Sequence, residues 1–324
     1  MTLPPTPGRP GLVTVGETMG LVRAVEYGPL RHARFLQLGI AGAESNVAIG
    51  VRRLGHRATW VGHLGTDDMG DLVESTLRGE GVDLVVARDP VRPTGLMLKS
   101  QRTSGTTKVT YYRTGSAASA LRPEDLPLER IGSAGVLHVT GITPALSPSC
   151  LRAVDAAVAH ARQSGTTVSF DVNHRNALWS DDDARPVLRR LAGQADIVFA
   201  GSDEGGLLVD GAVATADELA HRIADLGPSE VVIKRGSDGA VALIDGRRLE
   251  EPGRPVTAVD HVGAGDAFVA GYLGGLLDGA TPENRLHLAN LTGAFAVTVN
   301  GDWEGAPTKE ELLMLDHDTG TVLR

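Results

Sequence analysis

Short apolar runs alternate along the chain with longer stretches in which apolar residues recur every three or four positions. Residues 12–16, 59–62, 136–140, 167–171, 196–200, 230–234 and 240–244 read as strands. Several of these are apolar at successive positions, as a strand covered on both faces requires. Between them, Val47, Val51 and Leu54 recur at helical spacing, and Gly55 stands where a C′ residue would end the helix. Residues 149–163 are alanine-rich and close before Gly165. Residues 266–277 place Phe268, Tyr272, Leu273 and Leu276 on one helical face. Strands and helices taking turns in this way predict an α/β sandwich around a mostly parallel central sheet.

Two stretches break the rhythm. Residues 22–38 and 94–113 read as extended segments with polar alternation, and Leu96, Leu98, Val109 and Tyr111 alternate with polar or small neighbours. Ser104–Gly105 supplies a turn between two such runs, which is a hairpin pattern. A small β-sheet lid standing off the main body accounts for it; an edge hairpin of the main sheet accounts for it as well. The expected organisation is one α/β domain over residues 11–315, with lid segments at about 20–40 and 92–114, behind a disordered tail at residues 1–10.

With 324 residues the chain can bury one large core. Its net charge is -9 and it has no run of five basic residues, which argues against nucleic acid or a membrane surface as partner. The single cysteine, Cys150, excludes a disulfide framework and a cysteine-based zinc site within the chain. His63, His138, His160, His221 and His287 are too scattered for a zinc spacing. Asp181, Asp182 and Asp183 read as an exposed helix start, and Cys150 has no base assigned to it. The first ten residues lack the apolar stretch of a signal peptide, and no run reaches the ~18 apolar residues of a membrane span. A cytoplasmic location is therefore expected.

The sharpest chemical feature is Asp260-His261-Val262-Gly263-Ala264-Gly265-Asp266-Ala267-Phe268, where small residues precede an apolar helix. A helix start leaves N–H groups without internal acceptors, and Gly263 and Gly265 permit positive φ and close approach of a ligand. The product is an anion cradle at the positive end of a helix, with the Asp266 carboxylate beside it. No Gly-Lys-Ser/Thr follows, so this is not a P-loop, and the third glycine of a dinucleotide fingerprint is missing. Far upstream lies a second small-residue loop, Ala41-Gly42-Ala43-Glu44-Ser45-Asn46-Val47-Ala48, running on to Leu54-Gly55.

These two segments, in this order, resemble the two signatures of the ribokinase-like (PfkB) carbohydrate kinases, and the resemblance extends over residues 11–312. It implies a three-layer ribokinase-like sandwich and transfer of phosphate from ATP to a sugar. Asp266 would be the catalytic base, and the N–H groups of Gly263, Ala264 and Gly265 the anion hole. Gly42 and Asn46 would hold the sugar. Lys234, Gly236 and Gly239, in a strand-turn-strand segment, would border the nucleotide together with Asn173, Arg175, Gly263, Gly265 and Asn290. Magnesium is implied with ATP, a monovalent cation is compatible, and Glu204 resembles an acid that reaches the magnesium through water; a plain helix-start acid explains Glu204 equally. His261 departs from the threonine or proline usual at its position.

Three smaller features resemble the branch acting on 2-keto-3-deoxygluconate: the segment holding Tyr111 and Arg113, the segment holding Arg175, and Asp302 in Asn300-Gly301-Asp302-Trp303. Two arginines suit an acidic sugar, since a guanidinium forks onto a carboxylate. Met97 stands where that branch often carries a substrate-contacting tyrosine. Fructokinases share much of residues 173–179, so fructose is the alternative substrate. Nucleoside kinases and a non-catalytic sugar-binding protein stand further off. Such kinases often pair lid to lid, so a homodimer is expected.

Overall fold

The structure is a computed structural model and describes residues 11–103 and 106–316. The proline-rich tail and the Ser104–Gly105 turn lie outside these residues. Thirteen strands are present among the described residues. The first seven are β1 (Leu12–Val15), β2 (Met19–Ala24), β3 (Leu36–Ala41), β4 (Ala58–Gly65), β5 (Asp83–Asp89), β6 (Leu96–Thr103) and β7 (Thr106–Tyr112). The others are β8 (Val136–Thr140), β9 (Thr167–Asp171), β10 (Ile197–Gly201), β11 (Glu230–Lys234), β12 (Ala240–Ile244) and β13 (Arg247–Glu251). Nine of them form one sheet in the order β13-β12-β11-β10-β9-β8-β1-β4-β5. Every pairing from β11 to β5 is parallel, and β12 and β13 add antiparallel to one edge.

Helices cover both faces of this sheet. On one, Pro148–Ser164, Asp181–Gln194 and Ala216–Ala224 bury Val154, Leu188 and Ile223 against Val139, Phe170 and Val231. On the other, Ala43–Arg53, Ala264–Leu277 and Pro282–Ala296 pack on Trp60, Phe199 and Val232. The helix Ala264–Leu277 differs from the one-sided pattern expected of it. Every residue from Ala267 to Leu276 is buried, because its two neighbouring helices wrap the side turned away from the sheet. The acids at 181–183 do form a helix start, capped by the Ser180 hydroxyl, which accepts the Asp183 N–H at 3.2 Å. Cys150 lies inside its helix, with the thiol donating to the Ala118 carbonyl at 3.3 Å and burial pushing its pKa up.

The remaining strands make a separate four-stranded sheet, β3-β2-β6-β7, and so a lid rather than an edge hairpin. Residues 22–38 are not one extended stretch: β2 and β3 are joined through a short 3₁₀ turn, Leu30–His32. The register corrects the expected alternation. Met97 pairs with Tyr111 and Lys99 with Val109, so these four share a face, whereas Leu96 and Leu98 point the other way. The inner face buries Met19, Leu21, Ala41 and Met97. The outer face leaves Leu36 54 %, Leu38 58 % and Tyr112 60 % exposed.

The chain runs from β1 outward to β4 and β5, then returns to β8 on the other flank of β1. The crevice at the carboxyl ends of β1 and β8 is thus a topological switch point, the place where open α/β sheets receive ligands. The lid stands over it.

Candidate active site

A cleft of about 1100 Å³ opens between that edge and the lid. Gly42, Asn46, Met97, Tyr111, Arg113 and Asp302 line its lid side. Asn173, Arg175, Glu204, Lys234, Gly263, Gly265 and Asp266 line the sheet side. A second cavity of about 500 Å³ shares Lys234, His261 and Gly265 as walls and adds Gly236, Gly239, Ala264 and Asn290. It lies between the β11–β12 turn and the helices Ala264–Leu277 and Pro282–Ala296, beside Pro255, Val256, Phe268 and Val297, so its walls are largely apolar.

The corner between the cavities is built by the loop 260–266. Gly263 has φ 79°, the left-handed region, and precedes the first helical residue. A Cβ on it would fall 1.7 Å from the Asp302 carbonyl oxygen, so glycine is required twice over. Gly265, expected to use positive φ as well, is helical instead, and a Cβ there would meet only the Lys234 Nζ, at 3.6 Å. Its service is open space at the helix tip. The helical ladder begins with the Ala267 N–H on the Gly263 carbonyl at 2.9 Å, so the amides ahead of it have no intrahelical acceptor.

Asp266 projects from the first turn into the cleft. Its Oδ2 accepts the Asn46 amide N–H at 2.8 Å, which joins the two glycine-bearing loops. Burial raises its pKa to about 7; the Asn46 donor, Lys234 and Arg175 oppose the rise and Asp171 adds to it. Lys234 donates to Asp171 at 2.7 Å. Burial alone would lower the lysine's pKa, but Asp171, Glu204 and Asp266 outweigh that and raise it. Asp171 keeps a buried Oδ1 with no partner. Arg175 reaches the Glu204 Oε1 at 3.5 Å and the His174 carbonyl at 3.1 Å. Asn173 holds φ 39°, an uncommon value outside glycine. Asn290 spends its amide N–H on the Pro252 carbonyl at 2.5 Å and lines the second cavity.

Sequence reasoning missed several residues here. Glu17 is buried beneath the lid; its Oε2 accepts Arg113 Nε at 2.6 Å, and its Oε1 accepts the Ser116 hydroxyl at 2.5 Å. Arg113 also lies 5.6 Å from the Tyr111 ring centroid. Glu44 accepts Thr140 and Thr143 hydroxyls, each at 2.7 Å, and burial raises its pKa. Glu17, Asp171 and Thr140 each stand at or just past a strand's carboxyl end, and that position was the available signal. Lys99 gave none, as described below.

This corner can hold an anion against main-chain amides with a carboxylate at hand to take a proton from an attacking hydroxyl. The sequence profile of the pfkB family carbohydrate kinase matches residues 9–309. A 2-dehydro-3-deoxygluconokinase of Bacillus subtilis is 40 % identical, over 93 % of both chains. A fructokinase of Klebsiella pneumoniae is 35 % identical, over 89 % of this chain and 95 % of its own. The crystal structure of a fructokinase from Xylella fastidiosa with bound ATP superposes with a TM-score of 0.83 at 25 % identity, over 95 % of this chain and 98 % of the other.

Proposed function

Because the chain belongs to the pfkB family of carbohydrate kinases, we propose that it phosphorylates a terminal hydroxyl of a sugar acid, 2-keto-3-deoxygluconate, at the expense of ATP. The observation that carries the choice of sugar is the pair of arginines, Arg113 and Arg175, lining one cleft with Asp266. Guanidinium groups recognise a carboxylate by paired hydrogen bonds, and a neutral sugar has no need of two.

In this reading the sugar lies under the lid against Gly42, Asn46, Met97, Tyr111 and Asp302, and the adenine fills the second, largely apolar cavity. Asp266 takes the proton of the attacking hydroxyl. The amides of Gly263, Ala264 and Gly265 hold the oxygens of the migrating phosphoryl group, where charge grows. Lys234 and Arg175 add positive charge on the approach. Asn46 keeps the Asp266 carboxylate turned toward the hydroxyl. Among the described residues no cluster of three His, Cys, Asp or Glu could cage a metal ion. The donors present, the orphaned Asp171 oxygen and Glu204, fit a Mg2+ ion held mainly by phosphate and water. Bound there, it would neutralise phosphate charge.

A second reading, fructokinase, is favoured by one feature: Arg113 is already neutralised by Glu17, which leaves less charge for a substrate carboxylate. An ADP-release assay on 2-keto-3-deoxygluconate, fructose, ribose and adenosine separates the readings. The sugar acid is expected to give the highest kcat/KM. Fructose turned over with the sugar acid inert selects the second reading, and no turnover with any of the four removes both. No helix among the described residues is long and apolar enough to cross a membrane.

A further inference from the structure

Lys99 sits on lid strand β6, yet its side chain is wholly buried. An ammonium taken out of water costs several kcal/mol unless it is well paired, so such a lysine needs a reason. Its Nζ donates to Asp260 Oδ2 at 2.7 Å and to Asp302 Oδ1 at 3.2 Å. These two acids flank the amide corner. Asp260 also accepts the N–H of Val262 at 3.2 Å on Oδ1 and that of Gly301 at 3.3 Å on Oδ2. The Asp302 carbonyl abuts Gly263. One ammonium therefore balances two buried carboxylates and pins two loops together, 260–266 and 300–304, at the point where the corner's amides are aimed. Without it the acids would face each other unpaired and push those loops apart.

We propose that Lys99 is a positioning residue for phosphoryl transfer, a tethered cation that fixes the corner Val262–Gly265 and ties the lid to it. Its kinetic consequence rests on the kinase reading; the cation site does not. The discriminating variant is Lys99→Met, which keeps the aliphatic body and removes the charge. We expect kcat to fall on the order of a hundredfold, since small displacements of such groups cost that much, with the sugar KM within about threefold. Ammonium or potassium chloride, whose cations can occupy the vacated position, should restore much of kcat, whereas choline chloride at equal ionic strength should not. The wild type, whose position is already filled, should gain far less from either salt than the variant does. The same salts should raise the melting temperature of the unliganded variant above that in choline, and Lys99→Arg should keep kcat within about tenfold.

A Lys99→Met enzyme with wild-type kcat overturns the proposal. So does a loss that no small cation reverses, in kcat and in melting alike, because that is the behaviour of a lysine serving only as packing. If the variant folds only in ammonium, the proposal stands; if it refolds in neither salt, the proposal falls. Should the wild type phosphorylate no sugar, the kinase reading fails, and the salt-dependent melting of Lys99→Met still decides this one.

Discussion

Asp266 answers to two opposed demands. A base must have lost its proton, yet burial holds this carboxyl's pKa at about 7 against an ordinary 3.8. On the free enzyme, log kcat/KM should rise with unit slope below about pH 7 and level off above it, which a pH series measures directly. Replacing the base, Asp266→Asn, should cut kcat by about a hundredfold or more while leaving substrate affinity within a small factor. An active Asn variant would remove Asp266 from that role. Stability should move the other way. Between about pH 4 and pH 7 the folded carboxyl keeps a proton that the unfolded chain has released, so the native state loses stability as pH climbs through this window. Asp266→Asn, still able to accept from Asn46, should match wild type near pH 4 and exceed it by about 1–3 kcal/mol above pH 7 in denaturant melts. Arg113 presents a similar conflict. With Nε and Nη2 engaged by Glu17, it has Nη1 left for a substrate. Arg113→Lys cannot hold Glu17 and reach a carboxylate in the same geometry. The KM for the sugar acid should rise at least about tenfold and that for fructose should change little.

The loop-helix unit 260–277 tests whether glycine serves conformation or space. Gly263→Ala forces a side chain into left-handed backbone, about 1–2 kcal/mol by itself, and against the Asp302 carbonyl. It should lower both melting temperature and activity. Gly265→Ala sits in helical backbone with nothing nearer than the Lys234 Nζ. It should leave melting unchanged or raise it slightly and still weaken ATP use, because the methyl intrudes where phosphate approaches; steady-state KM for ATP and thermal melts separate the two variants. The same distinction explains what the sequence made legible. β8, β9, β11 and β12 were read residue for residue because each is a short, mostly apolar run. β5 and β13 escaped: Asp83–Asp89 and Arg247–Glu251 are edge strands, charged and half-exposed, and only their pairing partners make them strands. Lys99 escaped for a longer-range reason. In an alternating strand a lysine normally faces water, and its acids lie 161 and 203 residues away. The two signature loops were legible because the chemistry they carry is local; the charges that brace them are not.

At the scale of the molecule, the lid has one face committed to the cleft and another that the helix Asp68–Gly79 covers only in part. Leu36 and Leu38 on β3 and Tyr112 at the end of β7, the two edge strands of the lid, are each more than half exposed on that face, with the partly exposed Val22, Leu96 and Leu98 between them, an apolar surface that monomeric proteins rarely expose. We expect two chains to bury these faces against each other. Light scattering at micromolar concentration should give twice the chain mass, and Leu38→Asp should give a monomer whose sugar affinity falls as its lid loosens; a monomeric wild type would remove this expectation. The main sheet finishes differently. Its outermost strands are β5, bracketed by Asp83 and Asp89, and β13, reading Arg-Arg-Leu-Glu-Glu, each with no further strand beyond it among the described residues. Charge on those rims penalises lateral addition of a stray strand. The enzyme should accordingly resist fibril-like growth when crowded.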